Sequence, residues 1–270
     1  MSTTARTAPS RVALITGASS GIGAALAHCF ARAGHDLVLV ARSTDKLQVV
    51  ADGLRNAHGV KTWIMPADLA QPDAARRLAA SIKRARRRID VLVNNAGVLQ
   101  HGLFVEMAAE RHRDMIGLNV AGLTDMLAHF VPPMVARGEG RVLNVASIAA
   151  FQPIPSLATY AATKAYVLSI TESLSEELRG TGVTITALCP GITATPMLSD
   201  AQHASPELAQ LPKFLVGSVD GVAEEGFQAC MRGEVICVPG VLNQATLLAS
   251  RASPKWLVRR VGGALVRRLR

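Results

Sequence analysis

Short apolar runs rich in β-branched residues alternate along the chain with longer stretches in which apolar positions recur at helical spacing. Val12–Ile15, Leu37–Val40, Val60–Met65, Ile89–Val93, Arg141–Val145 and Val183–Ala187 read as strands, with Glu234–Val238 as a seventh. Most are apolar almost throughout rather than alternating, the mark of strands buried on both faces. Between them, Ile22–Ala33, Thr44–His58, Pro72–Arg88, Arg111–Ala136 and Ser156–Gly180 carry the helical pattern. This regular alternation predicts an α/β fold, a Rossmann-type doubly wound parallel sheet of about seven strands with helices on both faces. No repeat, low-complexity linker or composition break intervenes before about residue 240. Residues 11–250 are therefore expected as one domain, 1–10 as a disordered lead and 251–270 as a separate C-terminal extension.

Composition narrows the function classes. Hydrophobic residues make up 49% and charged residues 18% of 270, enough for a large core and far from a disordered chain. The net charge is +9, but residues 251–270 hold seven Arg/Lys and no acid, leaving +2 for the rest. The fold itself is thus not expected to present a basic face to nucleic acid. Cys29, Cys189, Cys230 and Cys237 have neither CxxC nor histidine-paired spacing, so reduced buried thiols are expected, with no metal site and no disulfide. The first ten residues lack the apolar core of a secretory signal, and no apolar run reaches the roughly 18 residues of a membrane span, so a cytoplasmic location is expected.

The first strand runs through Thr16-Gly17-Ala18-Ser19-Ser20-Gly21-Ile22-Gly23 into a helix. Glycines there allow a tight turn and close approach of a pyrophosphate, and the helix start offers unpaired N–H groups at the positive end of its dipole. Gly17, Ser19, Ser20, Gly21, Ile22 and Gly23 are therefore candidate dinucleotide contacts, against an ordinary strand-to-helix turn as the plainer alternative. The spacing is Gly-x3-Gly-x-Gly, not the common GxGxxG. The second strand ends Val40-Ala41-Arg42-Ser43, with Ala41 where an enzyme selecting NAD usually carries a carboxylate for the ribose 2′-OH. A guanidinium at Arg42 can pair with a 2′-phosphate, which favours NADP(H) over NAD; stacking on adenine or capping the next helix are its other uses.

Tyr160 and Lys164 stand four apart on a predicted helix, so phenol and ammonium share a face. A neighbouring cation favours phenolate and is expected to bring a tyrosine from a pKa near 10 toward working pH for acid–base chemistry. Ser147, just past the fifth strand, could hydrogen-bond the same reacting oxygen. Alone, the pair is an ordinary exposed helix couple.

Together with its company, the pattern resembles the short-chain dehydrogenase/reductase family. The likeness runs from residue 11 to about 240 and rests on TGASSGIG at 16–23, Asp68, Asn94-Asn95-Ala96-Gly97, Asn119, Ser147, Tyr160-xxx-Lys164 and Pro190-Gly191. The resemblance implies a tetrad of Asn119, Ser147, Tyr160 and Lys164, in which Asn119 kinks its helix and holds a water joining Lys164 to solvent. It implies that Asp68 and Leu69 flank the adenine, and that Asn95, Ala96 and Gly97 line the adenosine side and support the sheet. Lys164 would also bond the nicotinamide ribose, with Pro190, Gly191, Ile192, Thr193 and Thr195 near the carboxamide and Ser43 beside Arg42. VARSTDKL at 40–47 and ALCPGITATP at 187–196 look most like bacterial short-chain reductases known only as general oxidoreductases, and ketoacyl reductases share the arginine-bearing second strand.

The same resemblance puts a substrate pocket among Gln100–Leu103, Ala149–Leu157 and a lid at about 193–217. Its candidate walls are Ile148, Phe151, Ile154, Pro155, Leu157, Met197, Leu198, Leu211 and Phe214, with His101 on the rim. Nearly all are apolar, so a small hydrophobic carbonyl or alcohol is the expected substrate. The resemblance also implies a homo-oligomer, tetramer or dimer, in which the two long helices Arg111–Ala136 and Ser156–Gly180 pair with their symmetry mates. In 251–270, seven larger apolar residues accompany the seven cations, and such a segment can lie on an anionic membrane surface. Docking on the protein's own surface or across an oligomer interface is the preferred reading, since Gly262-Gly263 interrupts the helix. A dinucleotide-binding regulatory or scaffold protein is the competing class, but would usually have lost Tyr160 or Lys164. A nucleotide-sugar epimerase would need a larger C-terminal domain.

Overall fold

The computed structural model describes residues 11–204, 216–241 and 243–244. The expected lead 1–10, the lid residues Leu211 and Phe214, and the basic segment 251–270 lie outside the described residues.

Seven parallel strands form one sheet in the order β3-β2-β1-β4-β5-β6-β7. They are β1 (Val12–Thr16), β2 (Asp36–Ala41), β3 (Thr62–Pro66), β4 (Val91–Asn94), β5 (Gly140–Val145), β6 (Val183–Leu188) and β7 (Ile236–Cys237). The twofold alternation of strand side chains divides the apolar runs between two cores. Val12, Leu14, Val38 and Val40 face the layer of α3 (Ala74–Arg84), α5 (Leu123–Arg137) and α6 (Ala158–Glu177). Ala13, Ile15, Leu37 and Leu39 face α1 (Gly21–Arg32), α2 (Thr44–His58) and α8 (Val219–Arg232). Every side chain of β1 is buried, which is why its sequence shows no polar alternation. The chain reverses direction across the sheet between β1 and β4, and the crevice at the carboxyl ends of those strands is where such folds bind ligands.

Three elements differ from the pattern-based expectation. The helix expected over Arg111–Ala136 is in fact α4 (Ala109–Ile116), a π-helical turn at Gly117–Gly122, and α5. Leu69 lies against that turn: a Cβ on Gly122 would stand 2.4 Å from the Leu69 carbonyl oxygen, so only glycine passes there. The seventh strand shrinks from Glu234–Val238 to Ile236–Cys237, because only Ala187 and Leu188 of β6 pair with it. The third helix begins at Ala74 rather than Pro72 and ends at Arg84 rather than Arg88. A further helix, α7 (Pro196–Ala204), follows the sixth strand.

Candidate active site

The turn after β1 is held from below by a threonine and an asparagine. Thr16 Oγ1 donates to the Val93 carbonyl at 3.2 Å and accepts from the backbone N–H groups of Asn95 and Ala96 at 2.9 and 3.0 Å. Asn95 Nδ2 donates to the Thr16 and Gly17 carbonyls at 2.9 and 3.2 Å. The ends of β1 and β4 are thereby locked at the reversal point. Gly17 turns at φ +64°, and a Cβ on it would sit 2.7 Å from Asn95 Nδ2; a Cβ on Gly23 would sit 2.3 Å from the Gly17 carbonyl oxygen. The spacing of these glycines follows from that crowding. The α1 N-cap, Ser20, is extended and makes no side-chain cap, so the first N–H groups of α1 are left to an external acceptor. Gly21, at φ +55°, points toward Thr195, where a Cβ would come within 3.3 Å of Thr195 Cγ2. This cradle fits a pyrophosphate.

At the end of β2, Arg42 is exposed and makes no hydrogen bond or ion pair among the described residues. The helix-capping role falls to Ser43, whose Oγ accepts from Lys46 N at 3.4 Å. Asp68 turns its carboxylate back onto its own loop, taking Ala70 N at 3.2 Å, while Leu69 is buried in the core.

Four of the expected tetrad residues lie around one corner of the crevice. Tyr160 and Lys164 are 9% and 6% exposed on α6, and Asn119 in the π turn is 2% exposed. Lys164 Nζ donates to the Val145 carbonyl at 2.8 Å and stands 5.8 Å from the centre of the Tyr160 ring. A Cβ on Gly97 would lie 3.2 Å from Asn119 Oδ1 and 3.5 Å from Lys164 Nζ, so this glycine lets the two side chains converge. Ser147 Oγ accepts from Ala149 N at 3.1 Å, capping a 3-10 turn at Ile148–Phe151 and leaving its own proton to give away. Asn119 is occupied elsewhere: Oδ1 takes Val98 N at 2.9 Å, and Nδ2 gives to Val98 O at 2.9 Å and Thr163 Oγ1 at 3.1 Å. It ties the segment after β4 to α6.

The electrostatics reverse the expectation for Tyr160. Burial pushes its pKa up from the usual 10, with a hydrogen bond to Ser147 only partly opposing, so the phenol stays protonated. The same burial lowers Lys164 to about 8, with the Cys189 thiol slightly opposing. Desolvation sets the direction of both shifts, and the mutual attraction that the i, i+4 spacing suggested is not among their causes.

Thr193 is buried, its Oγ1 donating to the Gly191 carbonyl at 3.0 Å, and Thr195 Oγ1 accepts from Leu198 N at 3.3 Å at the start of α7. Ile148 N donates to the Pro190 carbonyl at 2.9 Å, which joins that loop to the one bearing Ser147; Ile192, between Gly191 and Thr193, is half-buried. Of the candidate pocket walls, Ile154 and Leu157 pack with Tyr160, Met115, Ala149 and Ala161, accompanied by Val98, Leu99 and Met107. Phe151 instead packs on the core beneath the sheet, Met197 is 37% exposed, and His101 is half-buried.

Residues 11–206 match the family model of the short chain dehydrogenases. The chain belongs to the short-chain dehydrogenase/reductase family. This dehydrogenase is 37% identical over 202 residues to the oxidoreductase UcpA of Escherichia coli K12, spanning 73% of the present chain and 75% of UcpA. Among solved structures, a short-chain dehydrogenase from Sphingobium yanoikuyae in complex with NADPH superposes with a TM-score of 0.79 at 35% identity, covering 90% of this chain and 96% of that one. A short-chain dehydrogenase/reductase from Burkholderia phymatum in complex with NAD gives the same TM-score, 0.79, at 29% identity over 88% and 92%. The dehydrogenase is thus an oxidoreductase that binds a nicotinamide dinucleotide. The sequence motifs give no role to Gly122 or Thr163 and none of its own to Thr16, the first residue of TGASSGIG, because the contacts by which they position the site join residues far apart in the chain or lie outside the motifs.

Proposed function

We propose that this dehydrogenase interconverts a hydrophobic ketone or aldehyde with its alcohol at the expense of NADP(H), with Tyr160 as the acid and base. The observation that carries the reading is the convergence of a protonated, buried Tyr160 with Ser147 and Lys164 beside the glycine cradle. In the reducing direction Tyr160 gives its proton to the carbonyl oxygen, and the Ser147 hydroxyl donates a hydrogen bond to the same atom. Lys164, held on the Val145 carbonyl and with a pKa of about 8, is mostly charged at pH 7 and steadies the phenolate as it forms. Asn119 fixes α6 to the segment after β4 and acts through position rather than contact. The dinucleotide, held by Gly17, Ser19, Ser20, Gly21, Ile22, Gly23, Asn95, Ala96 and Gly97, supplies or accepts the hydride when bound.

The preference for the phosphorylated cofactor is supported by Ala41 and the unpartnered guanidinium of Arg42, and by the Sphingobium relative bound to NADPH. The hydrophobic substrate is supported by the apolar group of Val98, Leu99, Met107, Ile154 and Leu157 around Tyr160. The test is NADPH oxidation against aliphatic, aromatic, steroid and β-ketoacyl carbonyls, with Tyr160→Phe alongside wild type. Tyr160→Phe is expected to keep NADPH binding and lose well over tenfold in kcat, about 1.4 kcal/mol or more. Retention of more than about a tenth of wild-type kcat sinks the assignment.

A further inference from the structure

His112, on α4, makes contacts that no step of the proposed chemistry uses. Its Nδ1 lies 2.8 Å from Thr159 Oγ1, and its Nε2 lies 3.4 Å from the Phe104 carbonyl oxygen. Its ring also rests on the Phe104 ring, centroids 4.5 Å apart at 34°. A carbonyl only accepts, so Nε2 carries the proton of the neutral imidazole, and the Thr159 hydroxyl donates to Nδ1. One half-buried side chain thus joins α4, the segment 98–107 after β4, and the first turn of α6.

The position of each partner gives that pin a consequence. Thr159 immediately precedes Tyr160. Phe104 belongs to the segment whose Val98, Leu99 and Met107 pack beside Tyr160, together with Ile154 and Leu157 from the loop before α6. A second tie crosses the same gap, from Gly102 N to the Ser156 carbonyl at 3.0 Å, and both residues hold positive φ, +147° and +65°. A small cavity lined by Gln100, Gly102, Met107, Ser156 and Thr159, and by His112 itself, lies between the two walls. Asn119 fixes the near end of this wall at Val98, whereas the stretch from Gln100 to Met107 is tied toward α6 by the His112 bridge and the Gly102–Ser156 bond, with a cavity rather than packed bulk beside them.

We infer that His112 is a positioning residue that sets the width of the substrate pocket and so selects among carbonyl substrates by size. This rests on the function proposed above, because it takes the space beside Tyr160 as the substrate's. Loss of the His112 bridge leaves residues 100–107 held toward α6 by the Gly102–Ser156 tie, and that part of the wall moves away from α6 while Val98 stays pinned by Asn119. Bulky ketones gain access, while small ones lose the apolar contact that orients them. The dinucleotide cradle, built on Thr16, Asn95 and α1, makes no contact with His112.

The experiment compares wild type with His112→Ala, His112→Asn and Thr159→Val by hydrogen exchange, thermal melting and kinetics with NADPH against a small aliphatic and a bulky aryl ketone. Exchange needs no substrate: His112→Ala is expected to speed amides of 100–107 about tenfold and leave those of Gly17–Arg32 unchanged. The ratio of kcat/KM for the bulky over the small ketone is expected to rise about fivefold or more, with KM for NADPH within about twofold of wild type. Thr159→Val should reproduce the change, and His112→Asn, which keeps a group able to bond Thr159, should restore part of it. An active wild type whose ratio is the same in His112→Ala overturns this inference alone. So does a uniform fall in kcat for both ketones that tracks a lowered Tm, the signature of a purely structural role. A wild type inactive on every carbonyl tested overturns the proposed function and this inference together.

Discussion

Lys164 shows how one side chain serves chemistry against stability. Its pKa falls from 10.5 to about 8 because the fold removes water from the ammonium. A base whose folded pKa is depressed costs stability wherever the unfolded chain still holds its proton. That cost is complete below about pH 8, shrinks as pH rises toward 10.5, and is gone above it. Lys164→Met is therefore expected to abolish turnover while raising stability at pH 7 by on the order of 1 kcal/mol, once the lost Val145 hydrogen bond is set against the relieved desolvation. Denaturant melts at pH 7 and pH 10 check it: the stability difference between variant and wild type must narrow at the higher pH. Arg42 offers a second test at this scale. Ala41→Asp combined with Arg42→Ala is expected to shift kcat/KM from NADP(H) toward NAD(H), by removing a phosphate partner and supplying an acceptor for the ribose 2′-OH. A wild type already more efficient with NAD(H) contradicts the reading of this strand end.

Elements were legible where burial alone dictates the pattern. β1 and β2 are near-continuous apolar runs because both their faces are covered, β5 and β6 are buried although Asn144 and Thr186 interrupt their apolar residues, and the sequence pattern locates each within a residue or two. The apolar pattern of 111–136 does not show the π turn at Gly117–Gly122; only the family resemblance puts a kink there, at Asn119, and the crowding of Gly122 against the Leu69 carbonyl joins residues more than 45 positions apart. The seventh strand is legible at Glu234–Val238 but its length is not, because the pairing depends on where β6 ends. In the site, the residues joined by motif were readable and the direction of the Tyr160 shift was not, because spacing reveals a neighbour's charge but not the loss of water. Glycines make this distinction testable. Gly122→Ala would put a Cβ 2.4 Å from a backbone oxygen that cannot swing aside, so a loss of about 1–3 kcal/mol is expected. Gly53, inside α2 with open space around it, is the control: Gly53→Ala is expected to gain about 0.5–1 kcal/mol from helix propensity. Urea midpoints for the two variants must move in opposite directions.

For the molecule as a whole, the surface of the α4–α6 side bears on assembly. Ile116 at the end of α4 is 47% exposed and Tyr166 on α6 is 37% exposed, while Phe104 and Val105 nearby in sequence to α4 are 63% and 88% exposed. The Tyr166 hydroxyl lies 2.9 Å from Thr124 Oγ1, which braces α5 and α6 against one another into a continuous face. Exposed apolar side chains on braced helices are better explained by a second copy of the chain than by solvent, and closed symmetric assemblies are the usual form of soluble homo-oligomers. We propose a homo-oligomer, dimer or tetramer, closed through these helices. In a twofold contact each residue meets its partner's matching surface, so one charge is introduced twice and its desolvation cost is doubled. Ile116→Glu is accordingly expected to shift the assembly toward the 28.4 kDa chain. It should leave the far-ultraviolet spectrum unchanged, since Ile116 contributes little to the protomer's own core. Sedimentation velocity at micromolar protein decides the matter. Wild type is expected as a species of at least twice the chain mass and the variant as a smaller one; a wild type that sediments only as the single chain refutes the assembly, and an oligomer unmoved by Ile116→Glu puts its interface on another face.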